Sequence, residues 1–152
     1  MADSKYSRLL VTKPIYEAGP PTKGRQSPSM TYMSNALVPG CNMYIELGWI
    51  WEMPVPNPHI YEHSHNFNEI VLHIGADPNN PEDLGGKIEF VVEGEPLVFD
   101  RTSALYVPVG TKHGPLTWKK FTRPHIEMAI MIGTGSYKEG WPEGVGQKNQ
   151  SK

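Results

Sequence analysis

The segment His63-Ser64-His65-Asn66-Phe67-Asn68-Glu69 places two imidazoles one residue apart and a carboxylate four positions beyond the second. Side chains alternate faces along a strand, so positions 63, 65 and 69 share a parity. A straight strand would hold 63 and 69 about 20 Å apart, at roughly 3.3 Å per residue. A single metal ion takes its ligand atoms at roughly 2.0–2.2 Å. The three side chains can therefore meet one ion only if the chain bends between His65 and Glu69. Asn66 and Asn68 tolerate a turn, and Phe67 can anchor the bend in a core. The histidines then end one strand and the glutamate begins the next. Three ligands leave the shell incomplete, so a fourth is expected from a distant strand. The chain has six histidines, at 59, 63, 65, 73, 113 and 125. His113 stands just beyond the Pro108-Val109-Gly110 turn at a strand start, which makes it the candidate.

Outward from this segment the chain reads as short strand-like runs, each ended by Gly, Pro, Asn or Asp. NMYIELGWIWE (42–52) alternates, with Met43, Ile45, Leu47, Trp49 and Trp51 on one face. HIYEHSH, EIVLHIG, KIEFVVEG, LVFD, SALYVP, PLTWKKF and HIEMAIMIG complete about eight runs, and no convincing helix of any length appears. ADPNNPEDLGG (76–86) reads as a long loop over or beside the site, or as decoration. In EIVLHIG and HIEMAIMIG the even positions read as ordinary packing. The odd positions mix ionisable and apolar groups, as the lining of a cavity does. An all-β sandwich or barrel with little helix is expected. Residues 1–34 are expected to form an extended or irregular N-terminal arm, residues 35–134 the β-barrel, and residues 135–152 a polar, loose tail.

With 14 Lys and Arg against 16 Asp and Glu, the formal net charge is −2. No basic block exceeds Lys119-Lys120, so the electrostatic footprint of nucleic-acid binding is lacking. Fifteen Gly and fifteen Pro suit strands joined by turns and argue against a helical bundle. A single cysteine, Cys41, cannot form an intrachain disulfide, so an oxidising compartment is not implied. No run has the length of a membrane span and the start lacks an apolar signal-peptide core, so a cytoplasmic location is expected.

HSHNFNE resembles the first motif of the cupin superfamily, HxH followed by three or four residues and Glu. YVPVGTKHG (106–114) resembles the second, PxGxxH, in the same order with strands between. The resemblance covers roughly residues 40–133. It departs at Asn57, Thr102 and Thr117, where the family pattern has Gly, Gly and Asn, and at Gly75, one position early. The resemblance implies a jelly-roll β-barrel whose mouth holds one divalent transition metal (Mn, Fe, Co, Ni, Cu or Zn) on His63, His65, Glu69 and His113. It also implies a homodimer, since many small cupins pair through sheet edges.

Three imidazoles and a carboxylate around one ion leave positions for a substrate oxygen, which suits Lewis-acid chemistry joined to proton transfer. A lyase, isomerase or decarboxylase acting on a small oxygenated molecule is the expected activity. His73, Tyr61 and Glu127 are the candidate bases by strand parity. An Fe-dependent dioxygenase and a non-catalytic, metal-anchored binding protein are the alternatives. Trp49, Trp51 and Trp118 are expected in the core.

Overall fold

The computed structural model describes residues 4–140. Among the described residues, ten strands form two antiparallel sheets. They are β1 (Ile15–Ala18), β2 (Lys23–Arg25), β3 (Ser29–Met33), β4 (Met43–Val55), β5 (Asn68–Gly75), β6 (Asp83–Val92), β7 (Glu95–Arg101), β8 (Ser103–Val107), β9 (His113–Phe121) and β10 (His125–Ile132). The larger sheet runs β1-β3-β4-β10-β5-β8, with β2 also on β4; the smaller runs β7-β6-β9. After β5 the chain crosses to β6 and β7, returns for β8, crosses for β9 and returns for β10. This alternation makes a jelly-roll fold, with two sheets facing one core rather than a closed barrel. A 3-10 turn at Ser7–Leu9 and one helical turn, α1 (Tyr137–Gly140), are the helical segments among the described residues.

The core forms where the inner faces meet. Ile50 of β4 and Val71 of β5 pack with Leu84, Ile88 and Phe90 of β6 and with Leu116 and Trp118 of β9. Trp118 is buried, and its indole N–H donates to His125 Nε2 at 2.9 Å. Trp49 and Trp51 are not core residues as expected: they are 38% and 51% exposed. Strand β4 turns Tyr44, Glu46, Gly48 and Ile50 inward, so the more apolar odd face points outward. The even positions of β5 and β10 share that outer side and none belongs to a core cluster. Alternation identified the faces correctly, but apolarity misassigned which one is inside, because the inner face carries the site's polar groups.

Residues 15–33 supply β1, β2 and β3 to the larger sheet, with Thr31 opposite Glu46. Of the segment from 135 onward, the described part ends at Gly140; Tyr137 packs against Tyr44 with ring centroids 6.0 Å apart. The remainder, residues 141–152, lies outside the described residues. HIYEHSH is not a ladder strand. It touches β9 through isolated bridges, Ile60 with Leu116 and His63 with His113.

Two of the departures from the family pattern find local explanations. Asn57 pairs both ways with the Trp118 backbone: Nδ2 donates to the carbonyl at 2.8 Å and Oδ1 accepts from the amide at 2.9 Å. Its side chain thus does the work of a strand neighbour. Thr102 Oγ1 accepts from the Gly75 amide and donates to the Pro81 carbonyl, tying the end of β5 to the start of β8.

Candidate metal centre

The segments carrying His63 and His113 are clasped by their backbones. His63 N–H donates to the His113 carbonyl and His113 N–H to the His63 carbonyl, both at 2.9 Å. Gly114 makes this approach possible: its φ is +100°, and a Cβ there would collide with the Tyr61 carbonyl. The Pro-x-Gly turn is tied to the other motif as well. Gly110 N–H reaches the His65 carbonyl and Val109 N–H reaches Asn68 Oδ1, each at 2.9 Å. The chain bends at Asn66 and Phe67. Phe67 is buried with its ring stacked on His65, centroids 3.9 Å apart. Glu69 then opens β5 and returns its carboxylate to 3.2 Å from His65 Nε2 and 3.2 Å from His113 Nε2.

The ligand nitrogens of His63, His65 and His113 lie within 4.8 Å of one another. Each ring is oriented by a backbone carbonyl two residues away. Nδ1 of His63 meets the Tyr61 carbonyl at 2.8 Å, that of His65 the Phe67 carbonyl at 2.9 Å, and that of His113 the Thr111 carbonyl at 2.9 Å. A carbonyl can only accept, so Nδ1 carries the proton and in the neutral ring Nε2 keeps its lone pair. This is how proteins preset an imidazole for a cation. Burial, then the neighbouring His113, lowers the His63 pKa to about 4. Burial alone would raise Glu69, but the neighbouring His113 and His65 imidazoles overcome it and hold the carboxyl at about 2. Adjacent ligands at right angles around an ion with bonds of about 2.1 Å stand roughly 3 Å apart, close to the observed nitrogen–oxygen separations. The donor set fits a divalent transition metal.

These four residues line a cavity of about 50 Å³ between the sheets. A water molecule's share of the liquid is about 30 Å³, so there is room for the reacting end of a small molecule. Ile60, Val71, Phe90, Leu116, Ala129 and Met131 supply apolar wall, and Glu46 and Glu127 supply two more carboxyl groups. None of residues 76–86 lines it. A wider depression of about 600 Å³ lies among charged groups such as Glu82, Lys87, Asp100 and Arg101, and shares no residue with the histidine cavity.

The three candidate bases are placed differently. Glu127 lines the cavity; Tyr61 and His73 do not. Tyr61 contributes its carbonyl, which orients His63. His73 is buried against Trp118 and Phe99, on the side of a second hollow of about 160 Å³ formed with Leu97 and Leu105. Glu127 Oε2 is 3.1 Å from Arg25 Nε and 3.4 Å from His59 Nε2. Burial opposes its ionisation, but Arg25 and then His59 hold it well below the ordinary carboxylate range. Arg25 is itself buried and donates further to the Gln26 carbonyl and to Ser29 Oγ. Arg25 and Glu46 escaped the sequence reading. A lone arginine in a segment read as irregular carries no signal, and Glu46 lay on the face opposite the apolar one of β4.

His73 gives a prediction separate from the metal. Burial lowers its pKa to about 4. The unfolded chain therefore takes up a proton near 6.5 that the folded chain refuses until about 4. The stability involved is fully present above about pH 6.5 and drains away as the pH falls toward 4. Metal-free protein should lose about 2 kcal/mol between roughly pH 7 and pH 5 from this group alone. Urea denaturation of His73→Phe should show a pH slope shallower by that amount; equal slopes would refute the assignment.

The crossing strands form a jelly roll, and the two motif segments meet at its mouth. Solved structures similar to the chain include three named as cupins. An RmlC-like cupin from Shewanella frigidimarina is 12% identical, over 81% of this chain and 86% of its own, with a TM-score of 0.48. A cupin protein from Bacteroides fragilis is 17% identical over 70% and 78%, TM-score 0.45. A sugar phosphate isomerase from a cupin superfamily, from Silicibacter pomeroyi, is 11% identical over 82% and 72%, TM-score 0.49. No protein-family model and no curated protein matches the chain. Likeness at this level says nothing of a substrate. No described helix is long and apolar enough to cross a membrane.

Proposed function

We propose that the protein binds one divalent transition metal on His63, His65, Glu69 and His113. We further propose that it acts on a small oxygenated molecule by Lewis-acid and proton-transfer chemistry, as a lyase or isomerase. The observation that carries this is the preset histidine triad beside an ionised Glu69, in a cavity that holds two further carboxyl groups. When bound, the ion would polarise a carbonyl, enol or carboxylate oxygen of the substrate. The backbone carbonyls of Tyr61, Phe67 and Thr111 keep the imidazoles aimed, and the apolar wall excludes water from the reacting end. Glu127, tied to Arg25 and His59, is a positioning and charge-balancing residue rather than a free base.

Reconstitution tests the reading. Chelator-stripped protein titrated with Co(II), Mn(II) or Zn(II) should take up one equivalent per chain, read by elemental analysis. Uptake well below that for every ion would sink it. Turnover of small oxo-acids and enolisable sugars should then proceed without dioxygen. A strict need for dioxygen would replace the lyase or isomerase with an oxygenase.

A further inference from the structure

Glu46 sits in the cavity wall on β4, two strands from Glu69, and is 8% exposed. Its Oε2 is buried and has no hydrogen-bond partner. The neighbouring cation, Arg25, makes its hydrogen bonds elsewhere, to Glu127, the Gln26 carbonyl and Ser29 Oγ. A buried carboxyl oxygen left unsatisfied at the wall of this cavity is costly unless something fills it. We propose that Glu46 is the proton donor of this cavity, and that the ligand it receives is a small oxyanion, a carboxylate or enolate. This rests on the histidine cluster holding a metal.

The surroundings agree. The groups that act on Glu46 are Arg25 on β2, Glu127 on β10, Glu69 on β5 and Glu17 on β1. Tyr44 on its own strand and Tyr137 of α1 feel its charge in turn. Burial is the dominant influence, Arg25 opposes it, and the three glutamates reinforce it, so the carboxyl is pushed up to about 8. At neutral pH the side chain is a carboxylic acid with an O–H to donate. With Glu127 balanced by Arg25 and Glu69 facing the ion, a monoanionic ligand completes the charge. In the transfer step the Glu46 O–H bond breaks, a new O–H or C–H bond forms on the ligand, and Glu46 is left as a carboxylate that solvent reprotonates.

Two measurements test this. In metal-free wild-type protein, the Glu46 carboxyl resonance, assigned by its loss in Glu46→Gln, should titrate near pH 8. Titration below about pH 6, toward ordinary carboxyl values, overturns the donor whether or not metal binds. In Co(II)-loaded protein, acetate is the probe, followed by the cobalt absorption spectrum. Wild-type affinity should fall at least about 10-fold as rising pH ionises Glu46, because a donated hydrogen bond becomes like-charge repulsion. Glu46→Gln keeps shape and a donor and should lack that fall. Identical acetate profiles with full cobalt uptake overturn Glu46 alone, whereas absent cobalt uptake strikes the metal reading beneath it.

Discussion

Replacing His113 with alanine is expected to lower metal affinity by more than about 100-fold while leaving the fold intact, since disturbing groups behind a ligand already costs roughly 10–100-fold. The imidazole is 1% exposed, and its Nε2 lies 3.2 Å from Glu69 Oε2. Removing it opens a void but leaves the backbone clasp between residues 63 and 113, whose amides and carbonyls do the holding. The Thr111 carbonyl loses a partner and Glu69 loses one of two. His63→Ala should behave alike, because its ring faces His113 with centroids 4.2 Å apart. Elemental analysis and circular dichroism of both variants check this. Full metal occupancy in either, at wild-type affinity, would mean the ligand set is wrong.

The histidine centre was legible because its chemistry needs rare residue types at fixed spacings. The bend after His65 followed from comparing strand rise with metal–ligand distances, and the structure shows it at Asn66 and Phe67. The odd faces of β5 and β10 were legible too. A mixture of Glu, His, Ala and Val at period two has no use on a solvated surface, and Glu69, Val71, Glu127, Ala129 and Met131 all line the cavity. What stayed hidden depends on which strand lies beside which. Parity suggested Tyr61 and His73 for the cavity. Tyr61, however, sits in a stretch that bridges rather than pairs, and His73 lies toward the far end of β5, against Trp118 and Phe99. Arg25 reaches Glu127 across 102 positions of sequence, on a strand of three residues. No local pattern encodes that contact. Strand β4 is deceptive for a related reason: its more apolar face points outward, whereas Tyr44, Glu46 and Ile50 occupy the inside.

That outward apolar face leads to the second large effect. We infer that the outer face of the larger sheet is where a second copy of the chain docks, and Met128→Glu is expected to convert a dimer into a monomer. Met128 lies between Leu47 on one side and Leu72 on the other; Ile130 lies between Ile45 and Ile70, and Ile126 between Trp49 and Ile74. Every one of these is apolar, and charge is absent from the whole block. Four strands, β4, β10, β5 and (with Tyr106) β8, spaced about 4.8 Å apart and roughly seven residues long give a face of about 450 Å² in projection. Side-chain relief raises the accessible area above that. A stable interface buries about 800 Å² per partner, and an apolar patch on a monomer rarely exceeds a few hundred. An uncharged face meets its own copy with no like-charge penalty, so self-association needs no further complementarity. A buried, unpaired glutamate at Met128 should weaken association at least about 100-fold. Analytical ultracentrifugation should find twice the chain mass for wild type and the chain mass for the variant. Val98→Glu, on the exposed edge of the smaller sheet, should remain dimeric. A monomeric wild type at micromolar concentration would refute the docking surface. Strand β10 connects this face to the chemistry, because Met128 and Ile130 alternate with Glu127, Ala129 and Met131. The partner's sheet would thus press on the back of the strand whose front walls the cavity. Loss of the dimer should therefore loosen β10 and speed hydrogen exchange of its amides more than those of β6 in the opposite sheet.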